Sequence, residues 1–351
     1  MKRIVIGSIR PDSGKTSLIV GYGKTIDGKL GYLKPLGDRP VYKKKRIWDT
    51  DVSLMTRIFR LQESPELMTL GFDHSKLRFR YEKNGMEQRL DEMAEAAETG
   101  KDALLIEAGS QLFSGASLGL DLFSLTLVLQ ARCYIVVSGT NEDAVDQACY
   151  LARDSYLPKS SFGGIIFNKI PDPQEFRAEF LPIVEQTGVR VAGVLPDKPM
   201  LRSLTIPFLA ENLFLKPLGN EPASDTPVDT IFLGAMSVSE ARKHPTFQSG
   251  SKLVITSGDR SDLILAAIES GAAGVLVADG ISPGADITAR ANEKKIPLFS
   301  STCDLFELAH QVENLAPLTG PDDQSRLKVL QEMVSQCSEF GNQEESCKTT
   351  S

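Results

Sequence analysis

Apolar residues along this chain come in short bursts closed by glycine, proline or a polar residue, and the bursts alternate with longer amphipathic runs. The first burst, Ile4, Val5 and Ile6, is β-branched and ends at Gly7. A polar loop over residues 8–13 follows, and Lys15 to Gly23 then reads as a helix with Leu18, Ile19 and Val20 turned inward. Further bursts stand at "GYLKPLG", "ALLIEAG", "CYIVVSG", "GGIIFNKI" and "RVAGVLP". Runs this short and this apolar suit parallel strands buried on both faces. Between them "DVSLMTRIFRLQ", "EQRLDEMAEAAETG", "DAVDQACYLARDSYL" and "QEFRAEFLPIVEQTG" space apolar residues at helical intervals, and two of the four end in glycine. The alternation predicts the α/β class, as a doubly wound parallel sheet with helices on both faces.

At "KPLGNEPASDTPVDT" the pattern lapses into proline, glycine and short polar residues without period. It resumes in "TIFLGAMSVSEARK", "KLVITSGDRSDLILAAIESG", "AGVLVADGISPGADITARANEKK" and "IPLFSSTCDLFELAHQVENL", which are four strand–helix units. The expected organisation is a first domain over 1–216, a linker over 217–229 and a second, smaller α/β domain over 230–318. Residues 319–351 are expected to hold one amphipathic helix, "SRLKVLQEMVSQC", and a disordered polar tail.

Composition narrows the class without changing this picture. A chain of 351 residues exceeds the size of one hydrophobic core, and 41% apolar with 24% charged residues is ordinary for a soluble protein. A net charge of −7 and no basic stripe give no electrostatic case for nucleic acid; "YKKKR" at Tyr42–Arg46 reads as a solvated loop. No apolar stretch is long enough to span a bilayer, and the N-terminus reads as a strand, not a signal peptide. Five scattered cysteines and three isolated histidines lack metal-ligand spacing and suit reduced thiols, so a cytoplasmic location is expected.

The chemistry sits in the first loop. Strand, loop and helix in that order collect free backbone N–H groups and the positive end of a helix dipole at one point, where a phosphate chain fits. In Ser13-Gly14-Lys15-Thr16-Ser17, Gly14 lets the backbone approach, Lys15 can reach the β- and γ-phosphates, and Thr16 can ligate Mg²⁺. The usual spacing places a glycine five residues before Gly14, where this chain has Ile9, so the loop is a longer, divergent form. Asp49 and Asp51 in "RIWDTDVSLM" stand just before a helical run, where carboxylates complement the dipole, and Glu107 closes "ALLIE". Asp51 is a helix cap and Glu107 a strand-end surface residue, or Asp51 and Glu107 share one Mg²⁺ with Thr16.

The motifs "GSIRPDSGKT", "GYLKPLG", "DTDVSLM", "LLIEAG" with "GASLGLD", "GIIFNKI" and "GVLPDKP" resemble dethiobiotin synthetase in their order and approximate spacing. They resemble still more the amino-terminal, dethiobiotin-synthetase-like domain of long bacterial phosphotransacetylases and its stand-alone relatives. "GAMS", "GDRSDLILAAIESG" and "IPLFSSTCD" resemble the DRTGG domain that follows it. The resemblance implies ATP and Mg²⁺ as cofactors, with Ser13, Gly14, Lys15, Thr16 and Ser17 on the phosphates. It implies catalytic roles for Lys15 and Lys34, Asp51 and Glu107 as metal acids, and Asn168 and Pro196 at the adenine. An asparagine amide can read the adenine N6/N7 pair, or it can cap a turn at the strand end.

The chain also departs from these families. Ala108-Gly109-Ser110-Gln111 replaces a glycine-rich stretch, so dethiobiotin synthesis is not expected. No nucleophile elbow of a glutamine-hydrolysing domain is recognisable, and a phosphotransacetylase catalytic domain would lie beyond the last residue. In the second domain Asp259-Arg260 stand, but Ala278-Asp279-Gly280 occupies the Thr-Gly-Gly place. Asp259 and Arg260 are candidates for an effector site receiving a small anionic metabolite, or else ordinary turn residues. Two function classes stay open. One is a nucleotide-responsive regulatory module acting on a protein partner or a second copy of the chain; the other is an ATP-dependent ligase or kinase-like enzyme acting on a small carboxylate or amine.

Overall fold

The computed structural model describes residues 2–43, 46–81, 83–154, 157–219, 227–313, 315, 320, 323–337 and 340. The apolar bursts of the first half become β1 (Lys2–Ser8), β2 (Leu30–Leu33), β3 (Ala103–Glu107), β4 (Arg132–Val137), β5 (Phe162–Ile170) and β6 (Val191–Pro196). They form one parallel sheet in the order β2-β3-β1-β4-β5-β6. From β1 the chain winds outward over β3 to β2, returns to β3, and then crosses to β4 on the far side of β1. The reversal between β1 and β4 opens the carboxyl-edge crevice where doubly wound sheets take their ligands. Register sets Ile6 of β1 level with Glu107 of β3 and Tyr134 of β4, so Glu107 stands beside the start of the first loop.

Two helices carry the site. α1 (Lys15–Thr25) follows the loop, and α2 (Thr50–Phe59) follows an antiparallel hairpin of Pro40–Lys43 with Arg46–Asp49. Tyr42, Lys43 and Arg46 of the run expected as a loop are strand residues of this hairpin, and Lys44 and Lys45 lie outside the described residues.

The chain divides into two compact units, one of Met1–Lys198 with Thr319–Ser351 and one of Pro199–Leu318. This boundary differs from the 216 expected, because Leu204, Ile206, Leu209 and Leu215 are buried in the core of the second unit. The C-terminal helix Gln324–Cys337 belongs to the first unit and lies along α1. Gly21 makes that approach feasible: a Cβ there would stand 2.6 Å from the Leu330 carbonyl oxygen. Gln331 Nε2 donates to the Lys24 carbonyl at 2.8 Å, and the Phe340 ring lies 4.1 and 4.4 Å from those of Tyr22 and Tyr134. Phe340 falls in the tail expected to be disordered, 339–351, yet it is buried; the rest of that tail and residues 220–226 of the expected linker lie outside the described residues.

In the second unit β7 (Thr230–Leu233), β8 (Lys252–Ser257), β9 (Gly274–Ala278) and β10 (Leu298–Ser300) pair in parallel and in sequence order; Lys216–Pro217 adds an antiparallel edge to β10. The parallel strands never reverse direction of winding, so this sheet has no switch point of the kind between β1 and β4. No helix of the described residues is long and apolar enough to cross a membrane.

Candidate functional site

The loop from β1 to α1 is tied by its own hydroxyls. Ser8 Oγ and Ser13 Oγ both donate to the Arg10 carbonyl, at 2.7 and 2.9 Å. Asp12 and Gly14 take left-handed backbone angles, φ 53° and 94°. Gly14 is the N-cap of α1, which has no side-chain cap and no acidic residue in its first turn, Ser17 included. α2 differs, since Asp49 Oδ1 accepts from the Asp51 and Val52 N–H groups. The first N–H groups and the positive dipole end of α1 therefore remain directed at the loop. The Lys15 ammonium is buried at the loop root, 2.9 Å from Ser8 Oγ and 3.1 Å from the Ser110 carbonyl. Burial pushes its pKa down against the pull of Glu107.

β5 braces the loop from the far side. Asn168 Nδ2 donates to the Ser13 carbonyl at 2.8 Å and Lys169 Nζ to the Asp12 carbonyl at 2.6 Å. Consecutive strand residues ordinarily face opposite ways. Here the register shifts between Phe167 and Ile170, and Lys169 has φ 61°. This irregularity aims both side chains at one loop, a use to which strand bulges are put near binding sites. Arg39 pairs with Asp12, and Arg10 reaches Asp143 at 3.4 Å.

Beside the loop lies a dense group of buried charges. Glu107 is fully buried; it accepts from Thr16 Oγ1 at 3.0 Å and from the Tyr32 hydroxyl at 2.8 Å. Burial, then the Asp51 charge, push its pKa up to about 7. Lys34 Nζ lies 2.5 Å from Asp51 Oδ2, 2.5 Å from Asp38 Oδ1 and 3.4 Å from Asp49 Oδ1. Burial would lower its pKa, but Glu107, Asp51, Asp49 and Asp38 together hold it above the ordinary lysine value.

Carboxylate oxygens of Asp38, Asp49 and Asp51 all lie within 4.8 Å of one another, close enough to share a cation. Their accepting capacity separates them. Asp49 is taken up by four backbone N–H groups, its Oδ2 accepting from Asp38 and Arg39. Asp51 Oδ1 is buried and has no hydrogen-bond partner among the described residues. The orphaned Asp51 oxygen and the Glu107 carboxylate bonded to the Thr16 hydroxyl are all oxygen donors, the chemistry that Mg²⁺ takes, whereas the Asp38, Asp49 and Asp51 cluster is already occupied by the Lys34 ammonium.

The structure thus joins Thr16 to Glu107, Ser13 to Asn168 and Lys15 to Ser8 and Ser110, sets Gly14 against the Asn168 amide, and pairs Lys34 with Asp51; Ser17 lies in the first turn of α1. Pro196 closes β6, level with Ile170. Asp259 and Arg260 lie in the second unit at the carboxyl end of β8, where Arg260 donates to the Met236 carbonyl at 2.9 Å and pairs with Asp262 at 3.3 Å. Sequence reasoning missed Ser8, Tyr32, Asp38, Arg39 and Lys169. Tyr32 carried a signal: it stands two positions before Lys34, at the strand period, in an otherwise apolar run.

A family model described as an AAA domain matches residues 2–205. The chain belongs to this family. A DRTGG domain model matches residues 213–315, so a dethiobiotin-synthetase-like P-loop domain is followed by a DRTGG domain. A phosphate acetyltransferase of Synechocystis sp. is 25% identical over 340 residues, covering 90% of this chain and 47% of the relative. One of Deinococcus radiodurans is 24% identical over 356 residues, covering 95% and 50%. The chain spans about half the length of the curated relatives it matches. Two solved structures are similar at lower levels. The CBS and DRTGG domains of the regulatory region of Clostridium perfringens pyrophosphatase, complexed with the activator diadenosine tetraphosphate, give a TM-score of 0.29 at 14% identity, covering 39% of this chain and 62% of that one. A GTPase of Pyrococcus abyssi in apo form gives 0.32 at 13% identity, covering 56% and 89%. At these scores neither structure supports a functional statement.

Proposed function

We propose that the first unit binds ATP with Mg²⁺ and that the chain is a cytoplasmic, nucleotide-responsive regulatory module related to the amino-terminal region of phosphate acetyltransferase. The observation that carries this reading is the N-terminus of α1, which has no side-chain cap and no acidic residue in its first turn, presented by a loop braced from β5 and tied by its own hydroxyls. Gly14, Lys15 and Thr16 line the phosphates, with Ser13 and Ser17 beside them, and Asn168 and Pro196 stand on the adenine side. Thr16, Asp51 and Glu107 would hold Mg²⁺, which when bound supplies positive charge to the phosphate oxygens. Asp259 and Arg260 would receive a small anionic effector, and a protein partner or a second copy reads the combined state.

Thermal unfolding tests the core of this proposal. A ligand at a hundredfold excess over its Kd stabilises by about 2.7 kcal/mol, so millimolar ATP with Mg²⁺ should raise Tm clearly. Lys15→Ala should remove the effect. An unchanged Tm in the wild type would refute nucleotide binding.

A second reading is favoured by Lys34, an ammonium buried among three aspartates next to the loop. A cation held there can stabilise charge on a transferring phosphoryl group, as an ATP-dependent ligase or kinase acting on a small carboxylate or amine requires.

A further inference from the structure

Arg10 leaves the phosphate loop and crosses to Asp143, in the first turn of the helix Asn141–Ala152. Its Nη1 and Nη2 lie 3.4 and 3.5 Å from the two carboxylate oxygens. The Arg10 backbone is fixed, because the hydroxyls of Ser8 and Ser13 both donate to its carbonyl. The side chains are not: Arg10 is 51% and Asp143 46% exposed. Asp143 follows β4 and Arg10 follows β1, so the pair spans the crevice at which the winding of the sheet reverses.

An ion pair this long and this exposed is weak. A phosphate carries more charge than a carboxylate and offers a guanidinium two parallel acceptors, so it is the better partner. Giving up Arg10 costs Asp143 little, since it stays in water at the positive end of its own helix. Lys34, by contrast, would leave three crowded carboxylates behind.

We propose that Arg10 is the receptor for the γ-phosphate of ATP and that Asp143 is its built-in competitor, so that the pair sets the preference for ATP over ADP. This rests on the reading of the first unit as an ATP site. ADP has no γ-phosphate to offer, and with ADP bound Arg10 stays on Asp143.

Isothermal titration of the full chain with ATP and with ADP, both in Mg²⁺, tests this in the wild type, Arg10→Gln, Asp143→Asn and the double variant. Asp143→Asn should tighten ATP about two- to fivefold, the range that an exposed ion pair contributes, and leave ADP unchanged. Arg10→Gln should weaken ATP about tenfold or more and leave ADP nearly unchanged. In the Arg10→Gln background, Asp143→Asn should have no effect. The inference is overturned if Asp143→Asn leaves the ATP/ADP ratio unmoved, if it still tightens ATP without Arg10, or if Arg10→Gln weakens both nucleotides equally. A wild type that binds neither nucleotide overturns the ATP reading itself, whereas Lys15-dependent ATP binding with an unmoved ratio overturns only the role of the pair.

Discussion

Gly14 stands against the amide of Asn168: a Cβ added at Gly14 would lie 2.3 Å from Asn168 Nδ2. That nitrogen is tied to the Ser13 carbonyl, so it cannot retreat without releasing the loop. The left-handed φ of 94° adds about 1–2 kcal/mol against any side chain. Gly14→Ala should therefore abolish the ATP-induced rise in Tm while the protein still folds. A full ATP response in this variant would contradict the close approach.

Asp51→Asn and Glu107→Gln separate metal binding from nucleotide binding. Both should weaken ATP in the presence of Mg²⁺ and change little in EDTA, as read by calorimetric titration. Equal losses with and without metal would show that neither ligates it.

Glu107 should leave a signature in the pH dependence of stability without nucleotide. Its folded pKa is pushed up to about 7, above the ordinary carboxylate value of about 4.3. Between those values the folded state holds a proton that the unfolded state has released, so stability falls as pH rises. The contribution is complete below the unfolded pKa and is lost through the folded one. Urea midpoints of Glu107→Gln should decline less than those of the wild type from pH 4.5 to 7. Parallel curves would show that the buried carboxyl does not take up a proton in this window.

Gly21 allows the C-terminal helix to lie on α1, and Leu330 offers backbone, not a flexible side chain, at the point of contact. Gly21→Val should destabilise the first unit by about 1–3 kcal/mol, the usual cost of overpacking. Denaturant unfolding followed by Trp48 reads this unit, and an unshifted midpoint would show that the helix is not closely packed.

Regulation and catalysis predict different couplings. In a regulatory module a ligand of the second unit changes ATP affinity, and ATP must change that ligand's affinity by the same factor, typically about 5–150-fold. A thermal-shift screen of nucleotides and small anionic metabolites would look for it, and Arg260→Ala should abolish the coupling while ATP still binds. In an enzyme a small carboxylate or amine instead raises ATP turnover, and Lys34→Ala lowers turnover more than binding. Substrate-stimulated turnover that persists in Arg260→Ala, with no reciprocal coupling in the wild type, would sink the regulatory reading.

The parallel strands and α1 were legible because buried strands must be apolar throughout and a phosphate loop must join strand to helix. The pairing of Thr16 with Glu107 follows from the same logic, since both lie at the carboxyl edge of neighbouring strands. Other features depend on geometry that composition does not carry. The double brace by Asn168 and Lys169 needs a lysine at positive φ, and strand periodicity predicts only one of them facing the loop. Asp49 illustrates a subtler limit. "DTD" offered two acids before a helix, and only the structure shows that the first is consumed as the cap while the second keeps a bare oxygen. The unit boundary moved because the hydrophobic residues between 204 and 215 show no strand alternation, yet they are core to the second sheet.

The docking of Gln324–Cys337 on α1 has a consequence for synthesis of the chain. Translation proceeds from the N-terminus, so the six-stranded sheet and α1 emerge from the ribosome long before the helix that covers them. Until it arrives, the surface around Gly21 and Tyr22 is open to water and to chaperones, and the whole second unit can fold in the interval. Helix α1 thus receives this neighbour only after the second unit has been made, and a ribosome-stalled chain stopped before residue 324 would present a protease with a face that the docked helix conceals.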